Sequence, residues 1–412
     1  MKDLGVVITG GTPPTKQRQY YGDKVPLIKP TDMVLGQRYI GNTDESLSDV
    51  GVAKFKNKLV PANTPCIVTI GTIGKSCLTK ELSLVNQAVN CVVVDTKQFD
   101  IMYIYYLLQL TIPTVKSLNS GTASGRENVS KSVFENIDVR VIEERSKQVA
   151  IGQQLSAYDS LIENNNRRIA ILEEMAQSLY REWFVNFCYP GHEDNLDGNP
   201  KLVDSPLGQI PEGWVVKTLK DFCSKIGSGA TPRGGKGAYK LEGTPLIRSL
   251  NIYDSKFTTK DLAFIDDEQA ARLKNVVVEP NDVLLNITGA SVARCSIVPS
   301  AFTPARVNQH VSILRVHSDD ISPEYLLYTL ISKNGKARLL ATAQGGATRE
   351  ALTKSDLENF KIVIPASEVM SSFNSIVGKL VKQKEILFLK NENLKKQRDM
   401  LLPKLISGDI EL

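Results

Sequence analysis

The chain has 412 residues, 42% hydrophobic and 23% charged, which suits a soluble globular protein with two or three domains that each bury a core. No apolar run approaches the length of a bilayer span and Met1-Lys2-Asp3-Leu4 opens no signal peptide, so the expectation is a cytoplasmic protein with no membrane role. The net charge of +5 permits nucleic-acid binding without demanding it, and six scattered cysteines with no C-x-x-C pair read as reduced core thiols, not as a metal site.

The first element is a Gly/Thr/Pro-rich turn, Ile8-Thr9-Gly10-Gly11-Thr12-Pro13. Apolar runs bounded by Gly and Pro follow, such as Cys66-Ile67-Val68-Thr69-Ile70 and Cys91-Val92-Val93-Val94, and read as strands. A short helix is expected over 102–110, which completes a strand-rich head over 1–145. Residues 146–186 then form a long helix. Leu155, Tyr158, Ile162, Asn165, Ile169, Leu172, Ala176, Leu179 and Trp183 recur in alternating steps of three and four, the seam of a coiled coil. A polar, turn-rich linker spans 187–210, with His192 to Pro200 read as a surface loop.

The second head, 211–365, repeats this order. Its turn is Ile226-Gly227-Ser228-Gly229-Ala230-Thr231-Pro232, its strands include Asp282-Val283-Leu284-Leu285-Asn286-Ile287, and Ser322-Pro323-Glu324 starts a helix over 323–333. A C-terminal helix over 366–412 places Leu380, Leu387, Leu394 and Leu401 seven residues apart, flanked by Phe373 and Val377. Gln383, Lys390 and Gln397 are taken as its intermediate seam positions, so this seam is the more polar one.

The two heads are copies. Pro26-Leu27-Ile28-Lys29 returns as Pro245-Leu246-Ile247-Arg248, and Val85-Asn86-Gln87-Ala88-Val89 as Val307-Asn308-Gln309-His310-Val311. Arg126-Glu127 and Ser130-Lys131-Ser132 return as Arg349-Glu350 and Thr353-Lys354-Ser355. The offset drifts only from 219 to 223, a period too long for one turn of a solenoid. Both heads are mildly basic and the connector between them is acidic.

The expected fold is α+β: two similar strand-rich heads alternating with two long helices that pair as an antiparallel coiled coil, with pseudo-two-fold symmetry. Each apolar stripe has the alternative of packing on its own domain, but length and narrowness favour pairing. Asn165 inside the seam then helps to fix register. A helix of about 30 residues is roughly 45 Å long, more than the roughly 34 Å of one B-DNA turn.

Catalytic patterns are missing. Gly71-Thr72-Ile73-Gly74-Lys75-Ser76 lacks the leading glycine of a phosphate loop, since Thr69 stands there, and the second head has no Gly-Lys-Ser at all. No E-x-K of a metal nuclease, no Asn/Asp-Pro-Pro-aromatic loop of an amino-methyltransferase and no G-x-S-x-G elbow occurs. His310 stands where the first head has Ala88 and reads as a satisfied, partly buried histidine. The chain reads as a binder.

Two further stretches complete a family resemblance that covers essentially the whole chain. Leu207-Gly208-Gln209-Ile210-Pro211-Glu212-Gly213-Trp214 resembles the usual lead-in to a target recognition domain, and Gln397 to Gly408 (QRDMLLPKLISG) resembles the usual C-terminal helix end, of type I restriction-modification specificity subunits. One departure is that the first head starts without a Trp-containing strand, which leaves either a head lacking that edge strand or a truncated start. The resemblance implies a non-catalytic subunit in which each head reads one half of a bipartite, asymmetric double-stranded DNA target. The helices would set the gap and dock two methyltransferase subunits, through which restriction/translocase subunits join. S-adenosylmethionine, ATP and Mg would belong to those partners, with no cofactor or metal in this chain.

Residues shared by both heads cannot explain two different half-sites, so they should build, dock or contact phosphate. These are Asn86 and Gln87 with Asn308 and Gln309, Arg126 with Arg349, Lys29 with Arg248, and Lys75 with Arg294. For the Asn-Gln pairs the plain alternative is a turn that satisfies its own backbone; for the cations it is surface solvation. Base readout should sit where the heads differ, at Lys16, Arg18 and Thr31 in the first and at Arg233, Lys236, Ser249 and Asn251 in the second. Two competing readings are a protein-only scaffold with two similar protein-binding heads and an enzyme with an unrecognised site.

Overall fold

The computed structural model describes residues 1–119, 128–194, 200–317, 321–344 and 350–411. It divides into two compact units, Met1–Arg167 with Phe388–Leu412, and Arg168–Leu387.

In the first unit, strands Gly5–Thr9, Val89–Val94, Pro65–Val68 and Ser76–Leu78 lie side by side in that order, all antiparallel. Pro65–Val68 is buried along its whole length, which is why it reads as a continuous apolar run. A second sheet sets Val25–Ile28 parallel to Ser83–Val85, with Leu27 opposite Leu84 and Ile28 opposite Val85. Helix Ile101–Leu110, capped by the Asp100 carboxylate on the Tyr103 N–H at 2.9 Å, packs across the first sheet.

The second unit repeats this order. Cys223–Ser228, Val311–Val316, Val283–Asn286 and Cys295–Ile297 form the antiparallel sheet. Thr244–Ile247 runs parallel to Ala305–Val307, with Leu246 opposite Arg306 and Ile247 opposite Val307. Helix Pro323–Ile331 is capped by Ser322. This unit has an extra ladder, Val215–Thr218 with Lys361–Ile364, which has no counterpart in the first unit among the described residues. Beyond the expected loop, of which residues 195–199 lie outside the described residues, Leu202–Ser205 and Gly208–Pro211 make a hairpin. Trp214 beyond it is buried against Phe184, Phe187 and Tyr189.

Two long helices, Arg145–Phe184 and Ser367–Ser407, carry the seams, and the second runs on through Pro403. They pair antiparallel, because partner numbers fall as central-helix numbers rise. In the first unit Asp159 meets Arg398 and Asn165 meets Asn391; in the second Glu173 meets Lys384 and Phe184 packs on Phe373 at 4.8 Å between ring centroids. Leu155, Ile162, Trp183 and Leu387 are buried, while Tyr158, Asn165, Ile169, Leu172, Leu179, Leu380, Leu394 and Leu401 are half-buried. The register of the second seam differs from the expectation. Gln383, Lys390 and Gln397 are exposed, and the inward polar positions are Lys384, Asn391 and Arg398. At 3.6 residues per turn, the fourth residue after each leucine stays on the seam face.

Each head is tied to the helix pair by a tyrosine, a carboxylate and a cation. In the first unit the Tyr106 hydroxyl donates to Asp159 Oδ2 at 2.6 Å, and Arg398 closes on the other oxygen. In the second the Tyr328 hydroxyl donates to Glu173 Oε2 at 3.2 Å, where Lys384 and the Ser255 hydroxyl also converge. Burial together with the neighbouring carboxylate pushes both phenols well above their ordinary pKa, so they stay protonated donors.

Candidate nucleic-acid interface

The repeated sequences build one device twice. Beside the parallel strand pair, Gly10 and Gly229 lie so close to the Val85 and Val307 carbonyls that an added Cβ would fall 1.8 and 1.7 Å from the oxygens. Asn86 and Asn308 open the facing turn. Their backbone N–H groups donate to Ile28 O at 2.9 Å and Ile247 O at 3.2 Å, and their side-chain oxygens accept the N–H of Ala88 at 2.8 Å and of His310 at 3.1 Å. Both asparagines therefore satisfy their own turn. Gln87 and Gln309 stand exposed on it, and each side-chain oxygen accepts a hydroxyl, from Thr12 in the first head and from Thr231 in the second.

The shared cations have partners inside the chain. Lys29 pairs with Glu45 at 2.9 Å, and that hydrogen bond raises the lysine pKa. Lys75 donates to Pro30 O at 2.7 Å, and because Ser76–Leu78 is a strand, no helix follows the Gly74-Lys75-Ser76 turn to make a phosphate loop. Arg294 stacks over the Tyr253 ring at 4.8 Å, while Arg248 lies over Tyr239 at 5.1 Å and donates to Asp261 O. Arg126 and Arg349 lie outside the described residues.

Where the heads differ, the surface is open. Lys16, Arg18, Thr31, Arg233 and Lys236 are exposed, with Arg18 6.0 Å from the Tyr21 ring centroid. One expected reader belongs to the fold instead. Asn251 is 0% exposed; its amide donates to Thr258 O at 3.0 Å and Lys260 O at 3.1 Å, and its oxygen accepts the Arg248 N–H. It corresponds to Asp32, which takes the Lys29 N–H in the same way at 2.8 Å, so both close an Asx-type turn. Ser249 is half-buried, and its carbonyl holds the buried Asn286 amide at 3.0 Å. Arg38, the last residue of the variable stretch that begins at Thr31 and was expected to offer base contacts, instead docks on the central helix through Ser156 O, Ser160 and Glu163.

No group of three or more His, Cys, Asp and Glu side chains among the described residues is placed to hold a metal ion. His310 is half-buried, with Nδ1 at 2.6 Å from the Thr288 hydroxyl. No helix among the described residues is long and apolar enough to cross a membrane.

Two heads of one design, each seated on its own stretch of an antiparallel helix pair and each presenting its own exposed basic loop, define a duplicated recognition scaffold. The chain belongs to the type I restriction modification DNA specificity domain family, whose model matches residues 1–174 and 211–392, and its role is DNA sequence recognition. It is 26% identical over 423 residues to the type I restriction enzyme MjaIX specificity subunit of Methanocaldococcus jannaschii, covering 100% of this chain and 93% of that protein. With the HindI specificity subunit of Haemophilus influenzae it shares 29% identity over 180 residues, 42% of this chain and 38% of that one. Its fold resembles that of a type I restriction-modification S subunit from M. genitalium, with a TM-score of 0.59 at 15% identity, covering 98% of this chain and 94% of the other.

Proposed function

We propose that the chain reads a bipartite, asymmetric duplex target, one half with each head, and leaves chemistry to its partners. The paired helices set the unread gap and dock two methyltransferase subunits. Those subunits bring S-adenosylmethionine and link the assembly to restriction/translocase subunits that use ATP and Mg.

The carrying observation is the division of the surface. Lys29, Lys75, Arg248 and Arg294, alike in both heads, are engaged within the chain, whereas Lys16, Arg18, Arg233 and Lys236, which differ, are exposed. A common frame with two different basic loops is what reading two different half-sites requires.

The test is to exchange residues 1–145 for those of another specificity subunit and to sequence the methylated sites made with the methyltransferase partner. One half-site should change and the other should stay. A change in both halves, or in neither, rejects the modular reading. Binding to the target duplex should also weaken steeply with salt; a scaffold that holds only proteins would bind no duplex.

A further inference from the structure

We propose that Gln87 and Gln309 are matched phosphate contacts, which set the register of each head on the duplex without reading its sequence. This rests on the DNA-reading function above and names the role of one residue pair within it.

The glutamine oxygen is already engaged within each head. In both heads it accepts a threonine hydroxyl, from Thr12 and from Thr231, the latter at 2.5 Å. Adenine readout by glutamine uses both ends of the amide, the oxygen toward N6–H and the nitrogen toward N7. With one of the oxygen's two lone pairs engaged and that end held against the threonine, the unoccupied end of each exposed side chain is Nε2 with its two N–H donors, suited to an anion's oxygens.

The donors are also held in place. Asn86 and Asn308 lock the turn beneath them, and the threonine loops sit where Gly10 and Gly229 press on the Val85 and Val307 carbonyls. Lys16 and Arg18 follow Thr12 closely in one head, as Arg233 and Lys236 follow Thr231 in the other, so both threonine loops run on into exposed cations. The arrangement recurs although the flanking loops differ. A base contact common to both heads would demand the same base in both half-sites, whereas a phosphate is present in every sequence.

The test uses the full chain assembled with its methyltransferase partner and duplexes carrying the methylated target. Gln87→Glu keeps an acceptor for Thr12 but replaces the two donors with negative charge, and should weaken binding at least about tenfold. Gln87→Met, without added charge, should weaken it several-fold and serves if the charged variant fails to fold. The methylated sequence should stay the same. A single neutral methylphosphonate, scanned along one half-site, should reveal one position that weakens the parent but not Gln87→Met; a merely structural role would not produce that pairing. Gln309 should behave alike on the other half-site.

If the parent assembly binds duplex and the folded variant binds within twofold of it, or if the methylated half-site changes, this proposal alone falls. If the parent binds no duplex, the reading beneath falls with it.

Discussion

Asn165 Nδ2 donates to Asn391 Oδ1 at 2.8 Å within the helix pair. Asn391, only 2% exposed, returns its own amide to Asn166 Oδ1 at 2.9 Å and Ile162 O at 3.5 Å. A buried amide so satisfied contributes little net stability but penalises any register that removes its partners. Asn391→Leu is therefore expected to leave the thermal midpoint unchanged or raised by the equivalent of about 1 kcal/mol, while relaxing pairing specificity. Light scattering should then detect self-associated species absent from the parent. A variant that is destabilised and stays monodisperse would show that the amide layer serves stability instead.

The Asp159 carboxylate predicts the opposite behaviour. It is 5% exposed and held by Tyr106 and Arg398. Arg398→Met strands that charge and should lower the unfolding free energy by about 3–5 kcal/mol. The double variant Asp159→Leu/Arg398→Met should recover part of the loss, because no buried charge is left over and only the Tyr106 hydroxyl lacks its acceptor. Urea denaturation of the four-member cycle gives the coupling directly; additive losses would mean that the pair is not coupled.

These two cases also mark what was legible beforehand. The duplication located Gly10 with Gly229, Lys75 with Arg294 and Asn86 with Asn308, because a repeated fold repeats its steric and hydrogen-bonding demands. Asn165 was visible as a polar break in a clean apolar seam. Its partner was not: a strict seven-residue leucine count drew attention to Gln383, Lys390 and Gln397, whereas the inward residues Lys384, Asn391 and Arg398 are polar and escape an apolar count. Asn251 suggested base reading by residue type, yet its spacing after Arg248 closes a turn. The ties from Tyr106 and Tyr328 join residues far apart in the chain, so no local pattern marks them.

The thiols give a pH prediction. Burial pushes Cys66 and Cys295 well above their ordinary pKa, a hydrogen bond to Cys66 and then burial do the same for Cys77, and burial takes Cys223 up to about 12. Cys188 is exposed. At pH 8 a disulfide reagent should modify one thiol of the native chain rapidly and the others only after unfolding. The sign for stability follows from the raised folded values: the contribution is complete below the unfolded thiol pKa of about 8.5 and is lost as pH climbs toward the folded ones. Under reducing conditions the urea midpoint should accordingly be lower at pH 10 than at pH 7. Rapid modification of several native thiols at pH 8 would contradict the burial.

The glycine contacts test whether the two heads are energetically separate. At Gly229 a methyl group would fall 1.7 Å from Val307 O, against backbone in a buried strand that has no flexible side chain to yield. Gly229→Ala should therefore destabilise the second head by about 3 kcal/mol or more, beyond the usual range for a surface change. Hydrogen exchange reports where the loss falls. Protection should drop at Ala305–Val307 and Val311–Val316, while Ser83–Val85 and Val89–Val94 in the first head keep theirs. Gly10→Ala, with a Cβ 1.8 Å from Val85 O, should give the converse pattern. Equal loss of protection in both heads from either variant would mean that they unfold as one cooperative unit, and a subunit that exchanges half-sites by exchanging heads could not be built that way.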